Sequence, residues 1–141
     1  MKGSRAVGWG IGALMAADAA ILAIPGAVDA LGMRATLRGI CHQDPGRSLR
    51  IAGHLMPVCA RCAGLHFGVI GAFLAILLAR KAPRARVRWA ALAIGVLLIA
   101  AATLLESGLE VDTGFPVRVA SGLALGIPIG IVLGSATMRD A

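Results

Sequence analysis

The stretch AGLHFGVIGAFLAILLA, residues 63–79, contains no Asp, Glu, Lys or Arg and is followed at once by basic residues. About 20 apolar residues in a helix are needed to cross the roughly 30 Å of bilayer hydrocarbon. The stretch is slightly shorter than this, so its helix could begin a turn earlier, near Cys59. The sequence here predicts a membrane-spanning helix.

Three further apolar stretches, residues 7–24, 87–105 and 119–137, have a similar length. The 141-residue chain is 58% hydrophobic and 15% charged, which is more apolar surface than a soluble domain of this size can bury. We therefore predict an all-α fold without β-strands, a single membrane domain (1–141) of four transmembrane helices. The first stretch is also compatible with a signal peptide, although it is long for one.

The basic residues predict the orientation. Five of them lie between the second and third stretches: Arg80, Lys81, Arg84, Arg86 and Arg88. Because such loops stay in the cytoplasm, four crossings place both termini there and the first and third loops outside. Of all Lys and Arg residues, eight are then cytoplasmic and six exoplasmic. The third loop is acidic, with Glu106, Glu110 and Asp112, and we expect these carboxylates to pair with arginines of the first loop.

The net charge of +7 would suggest a nucleic-acid partner in a soluble protein. Here the charges lie at the ends of apolar runs, where they set topology and contact lipid headgroups. The expected partner is therefore the lipid bilayer, and nucleic-acid binding is excluded.

The first loop has two parts. Residues 27–40 place Val28, Leu31 and Ala35 on one side and Asp29, Arg34 and Arg38 around the other, which predicts a short helix lying at the membrane interface. Residues 41–62 are rich in Gly, Pro, His and Arg and are predicted to form an ordered loop.

All three cysteines, Cys41, Cys59 and Cys62, fall in that loop, and His42 adjoins the first. A Cys-x-x-Cys segment lets two thiolates turn toward one point, and Cys41 with His42 would complete a tetrahedral set. A disulfide would leave one thiol unpaired, whereas a metal uses all three. We therefore predict a structural zinc site, with copper or an iron–sulfur cluster as alternatives. The cysteines could also be buried apolar thiols.

The other polar residues near the cluster have less specific interpretations. His54 is the second ligand candidate, and His66 is expected to point into the bundle or toward the site. The arginines around the cluster are Arg47, Arg50 and Arg61. They either face lipid headgroups, or neutralise the thiolates or hold a carboxylate or quinone-like oxygen. Asp18 lies within the first apolar stretch. A carboxylate there either has a function, or reaches the membrane interface or pairs with an arginine.

The fourth apolar stretch carries a glycine at every fourth position: Gly122, Gly126, Gly130 and Gly134. This spacing forms a groove along one helix face, which favours close packing against another helix of the chain. An interface with other membrane subunits, or with a second copy, is the alternative. Pro128 lies within the groove and is expected to bend the helix.

The motifs Cys41-His42-Gln43, Arg47-Ser48 and Pro57-Val58-Cys59-Ala60-Arg61-Cys62-Ala63-Gly64 resemble a family of small prokaryotic membrane proteins of unknown function. The resemblance extends through Arg118, Ser121-Gly122 and Gly126. It implies a membrane location and a shared Cys/His motif, and it supplies no established activity. We predict a multi-pass protein of the cell membrane in which Gln43, Arg47, Ser48 and Arg61 support the metal or bind an anion. The family's Asp-Gly and Gln after the third helix are replaced here by Glu106-Ser107-Gly108-Leu109-Glu110.

Three functions are compatible with this pattern. The leading interpretation is an accessory or structural membrane protein organised by the metal, to which no catalytic residue is assigned. The alternative is a quinone-linked thiol–disulfide oxidoreductase, which lacks a second cysteine pair. A transporter or channel subunit using Asp18 is weaker, because four short helices show no repeat.

Overall fold

A computed structural model describes residues 2–24, 32, 34–39, 41–51, 53–109 and 112–139. The helices are α1 (Lys2–Ala23), α2 (Arg34–Arg38), α3 (Ala60–Ala79), α4 (Ala85–Gly108) and α5 (Gly114–Arg139). A 3-10 turn (Pro45–Arg47) and two strands, β1 (Ser48–Ile51) and β2 (His54–Cys59), lie between α2 and α3. The fold is thus mostly helical, with one small sheet beside the predicted site.

Within the described residues, three helices are long and apolar enough to cross a membrane: Ala60–Ala79, Ala85–Gly108 and Gly114–Met138. They correspond to the second, third and fourth predicted stretches. The first predicted crossing, residues 7–24, falls on α1, and that crossing stays a prediction. The helices α4 and α5 extend beyond the predicted bounds at both ends, α1 begins five residues before residue 7 and ends at Ala23, and α3 begins three residues before residue 63.

The connection between α3 and α4 contains five residues, 80–84, and two of them favour the end of a helix. Arg80 adopts the left-handed conformation (φ 52°), and its N–H donates to the Ile76 carbonyl oxygen at 3.0 Å. Pro83 then disfavours helix at the residue before it, and α4 begins at Ala85. The basic residues of this turn lie exposed at one end of the bundle, except for half-buried Arg88.

The glycines of α5 lie against α3. A Cβ atom at Gly122, Gly126 or Gly130 would collide with backbone carbonyl oxygens of α3, those of Arg61, Leu65 and Val69 respectively. At Gly134 it would lie 3.0 Å from the Ile76 Cβ. The four glycines therefore let two helix backbones approach within the same chain, which is how small residues stabilise packing in lipid.

Pro128 lies inside α5, which continues across it. A proline has no N–H, so the Ala124 carbonyl lacks its usual donor four residues on. Gly95 of α4 packs directly on this carbonyl, since a Cβ atom there would collide with the Ala124 oxygen. The neighbouring helix therefore lies directly against the backbone group that the proline leaves without its usual donor.

The prediction that the chain contains no strand is wrong. β1 and β2 pair antiparallel, with Ser48 opposite Cys59 and Ile51 opposite His54, and Gly53 (φ 81°) lies in the connection. The pattern of β2 conceals the strand, because Met56, Pro57 and Val58 are buried in succession and do not alternate. A proline is tolerated here because each strand of a two-stranded hairpin has one unpaired edge.

The predicted interfacial helix, residues 27–40, coincides in part with α2. Leu37 is half-buried against the core beneath the cysteines, and Arg38 and Ala35 are exposed. The predicted positions Val28, Asp29 and Leu31, and Glu110 of the acidic third loop, lie outside the described residues.

Candidate metal centre

Three structural elements bring the cysteines together. Cys41 follows α2, where its N–H donates to the Leu37 carbonyl oxygen at 2.9 Å. Cys59 ends β2 and is the N-cap of α3, and Cys62 lies in the first turn of that helix. The three Sγ atoms lie within 4.8 Å of one another. Residues up to 21 positions apart in the chain therefore form one compact donor set.

Hydrogen bonds of the segment 44–48 hold the hairpin beside Cys59. The Asp44 carboxylate accepts from the Gly46 N–H at 2.9 Å, and the Asp44 carbonyl oxygen accepts from the Ser48 hydroxyl at 2.9 Å. Ser48 is 2% exposed and lies opposite Cys59 in the sheet. Ser48, one of the predicted site residues, thus helps to hold the strand that carries Cys59. Asp44, which the sequence interpretation overlooked, is recognisable in its Asp-Pro-Gly turn.

The sulfur atoms share hydrogen bonds. The Cys59 N–H donates to the Cys41 sulfur at 3.1 Å. The side-chain hydrogen bond with Cys62 lowers the pKa of the Cys59 thiol to about 5, although burial acts in the opposite direction. All three cysteines are free thiols. Because thiolates are the form that binds metals, the geometry favours a metal-binding state at Cys59.

An apolar layer closes one side of the cluster. Buried Cys41 packs with Met56, Val58 and Ala63, and three half-buried side chains surround them: Ile21, Leu37 and Leu49. These residues come from α1, α2, both strands and α3, so the cluster lies where five elements meet. The layer shields the sulfur atoms from water on this side. A ligand or solvent can reach them from the other side.

On the open side lies a cavity of about 380 Å³. It is lined by His42, Asp44, Arg47, Cys59, Arg61, Glu106 and Arg118. Among the described residues, neither His42 nor His54 places a ring nitrogen in the compact donor set. His42 is exposed and borders the cavity with Cys59, whereas His54 lies five extended residues from Cys59, about 16 Å away.

The arginines predicted to surround the cluster differ in their contacts. Arg61 pairs with Glu106 of α4 (Nη2–Oε2, 2.9 Å), which is the predicted pairing between the first and third loops. Arg47 is exposed and pairs with Asp44 at 3.3 Å. Gln43 adopts a left-handed conformation (φ 52°) between Cys41 and the 3-10 turn. Arg50 is exposed on β1.

Glu106 joins three helices in a buried ion network. Its carboxylate also pairs with Arg118 Nε at 3.2 Å and accepts a short hydrogen bond from Thr113. Arg118 reaches Asp112 at 3.1 Å. Arg61 donates in addition to the hydroxyls of Thr103 (3.0 Å) and Ser121 (3.3 Å), contacts that sequence reasoning missed because they join separate helices.

The comparisons agree with this architecture. Residues 41–132 match the family described as "Predicted membrane protein (DUF2085)". An "Uncharacterized protein" of Methanothermobacter thermautotrophicus is 34% identical over 96 residues, which cover 67% of this chain and 85% of that protein. "Uncharacterized protein MJ1492" of Methanocaldococcus jannaschii is 61% identical over 31 residues, 22% of this chain and 20% of that protein. No solved structure matches the chain.

The chain belongs to this family of membrane proteins. The matched segment begins at Cys41 and contains the whole cysteine cluster and the Arg61–Glu106 pair. The several apolar helices of this chain are consistent with a multi-pass membrane protein. Its cysteine group could hold a metal ion.

Proposed function

We propose that the protein is an accessory or structural membrane protein whose outer segment is organised by a bound metal ion, zinc in the first place. One observation carries this proposal. The three cysteine sulfurs, Cys41, Cys59 and Cys62, lie within 4.8 Å of one another although they come from different elements.

The spacing of the sulfurs suits a tetrahedral metal. Zn–S bonds of about 2.3 Å place the sulfurs of a tetrahedral site roughly 3.8 Å apart. Sulfur atoms already within 4.8 Å need only a small inward movement to reach this distance. Three thiolates leave one position for His42, which follows Cys41 in the chain and borders the cavity beside Cys59. Four protein ligands leave no open position, which defines a structural site.

Such a metal would join the segment after α2, the end of β2 and the first turn of α3. The hairpin has strands of only four and six residues, and a two-stranded hairpin is marginally stable by itself. Metal ligation would therefore supply much of the free energy that holds the hairpin on the helix bundle.

The packing of α1 supports a single membrane domain, 1–141, with four crossings. Gly12 lies against Phe73 and Leu74, and Asp18 lies against His66, so α1 runs antiparallel along α3. A helix that lies beside a spanning helix covers the same depth. We place both termini in the cytoplasm and the metal segment outside, because the turn between α3 and α4 is densely basic.

The alternative function, a thiol–disulfide oxidoreductase, is favoured by one feature. Cys59 borders the open cavity, and the lowered pKa of its thiol would support nucleophilic attack. However, the chain has three cysteines, so a relay through a second pair is absent. A metal would use all three thiols, whereas a disulfide would leave one unpaired.

The deciding experiment is metal analysis of the protein purified anaerobically in detergent. We expect one metal ion per chain and thiols protected from alkylation until a strong chelator is added. If copper or iron is found in place of zinc, the proposed site is retained and only the identity of the metal is wrong. Metal-free protein with an exchangeable Cys59–Cys62 disulfide would reject the metal and favour the oxidoreductase.

A further inference from the structure

A cavity of about 570 Å³ lies between α1 and α3, separate from the charged cavity beside the cysteines. Leu14, Asp18 and Ile21 of α1 face Leu65, His66 and Val69 of α3 across it. Of the nine described residues that line the cavity, Asp18 and His66 alone are polar. Its volume is that of a small-molecule binding site, in which a few polar groups orient an apolar ligand.

The packing of the two helices explains why the cavity opens at this end. Near the start of α1, Gly8 and Gly12 let the helix approach α3, with Cβ positions 3.5 and 3.3 Å from Leu77 and Leu74 side chains. Toward the end of α1 the facing positions are larger, and the cavity lies between them. Its described lining comes from α1 and α3, although Ile21 also packs against the core that the hairpin helps to form.

The polar pair lies below the membrane surface. His66 Nδ1 is 3.2 Å from Asp18 Oδ2, and these side chains remain 33% and 43% exposed, respectively. His66 is six residues from the first residue of α3, about 9 Å along the axis of a spanning helix. A carboxylate exposed at this depth is costly unless a polar partner completes its surroundings, and intramembrane pairs of this kind mark ligand or proton sites.

We propose that this cavity binds a quinone or its quinol, with the ring beside the Asp18–His66 pair and the tail along the apolar walls. With the Nδ1 proton directed at Asp18, the neutral ring presents Nε2 as an acceptor for a quinol hydroxyl. The protonated ring donates from Nε2 to a quinone carbonyl oxygen. The pair can thus hydrogen-bond both forms of the same ligand.

One observation favours a quinone over a glycerolipid, whose ester and hydroxyl oxygens could also accept or donate: the cavity adjoins the thiol cluster. Ile21 lines the cavity and also packs against the core beneath the cysteines, and His66 lies one helical turn after Cys62 on the same face.

The test uses the protein in lipid nanodiscs with decylubiquinone as the probe. Quinones quench tryptophan fluorescence, and Trp9 is nine residues before Asp18 on α1, about 13 Å along the axis. In a Trp89→Phe background, Trp9 should show saturable quenching above the linear rise caused by partitioning into lipid. Asp18→Asn and His66→Gln should each weaken the saturable component at least about tenfold, as expected for the loss of a hydrogen bond to the ligand.

A matched pair of substitutions separates the cavity from the fold. Ala17 lines the cavity, whereas the exposed neighbour Ala16 is not among its lining residues. Ala17→Phe should abolish saturable quenching, and Ala16→Phe should leave it unchanged. Purely linear quenching in the unsubstituted protein, or equal displacement of the probe by dioctanoylglycerol, would overturn the proposal.

No lining residue is a proposed metal ligand. The measurement is therefore made on the protein as purified, whatever metal it holds, and its outcome is independent of the metal analysis.

Discussion

Arg61, which lies between the two cysteines of the Cys-x-x-Cys segment, forms a 2.9 Å ion pair with Glu106 at the far end of α4. Its side chain is 20% exposed and that of Glu106 is 6% exposed. Because Arg118 of α5 binds the same carboxylate, one buried acid joins α3, the helix that carries Cys62, to the two helices that follow.

Glu106→Gln should destabilise the folded protein strongly, because it leaves Arg61 and Arg118 without the charge that balances them. Removing one partner of a buried ion pair costs about 3 kcal/mol or more. Asp44→Asn is the control, since it breaks the exposed pair with Arg47 and should cost less than about 1 kcal/mol. Thermal stability in detergent compares the two. Equal small losses would mean that the buried network does not hold the helices together.

The ligand assignment is tested by comparing two histidines. His42→Ala should reduce the metal content and Cys59→Ser and Cys62→Ser should abolish it, whereas His54→Ala should retain the metal. The reason is geometric, since His42 follows Cys41 and His54 lies at the other end of β2. Metal content and protection of the thiols from alkylation are measured together. Loss of metal in His54→Ala with retention in His42→Ala would reverse the assignment.

Gly130→Ala should destabilise the protein although alanine is the better helix former. The added methyl group would collide with the Val69 carbonyl oxygen of α3, and overpacking of this kind costs about 1–3 kcal/mol. Gly71 of α3 has open space around its Cβ position, so Gly71→Ala should be neutral or stabilise by up to about 1 kcal/mol. Thermal unfolding in detergent should therefore show a lower Tm for Gly130→Ala and an unchanged or higher Tm for Gly71→Ala. Matching shifts would show that the glycine spacing does not reflect packing on α3.

The orientation is tested with reporter fusions after Arg84 and after Gly46. A cytoplasmic signal is expected at Arg84 and an exoplasmic one at Gly46, because dense positive charge resists translocation. One spanning helix, α3, separates the two positions, so they should report opposite sides. A cytoplasmic signal at Gly46 would invert the proposed topology and place the thiols in a reducing compartment.

Sequence patterns predicted the features that depend on local composition. Three apolar stretches became helices long enough to span a bilayer, because apolar length is a local property. The hairpin was missed, since Pro57 and three consecutive buried residues hide its alternation. The partners of Arg61 were only partly foreseen. Its pairing with an acidic residue followed from charge, but the Thr103 and Ser121 contacts depend on how α4 and α5 pack.

The sequence by itself determined that this is a membrane protein and that its cysteines lie within one short segment. It also determined the glycine spacing of α5, because a period of four residues aligns on any helix. Only the tertiary structure decided that Cys41 meets Cys59 and Cys62, that the glycines contact α3, and that Asp18 pairs with His66. These contacts join residues distant in the chain, and their geometry is set by the packing of helices against one another, which no local pattern specifies.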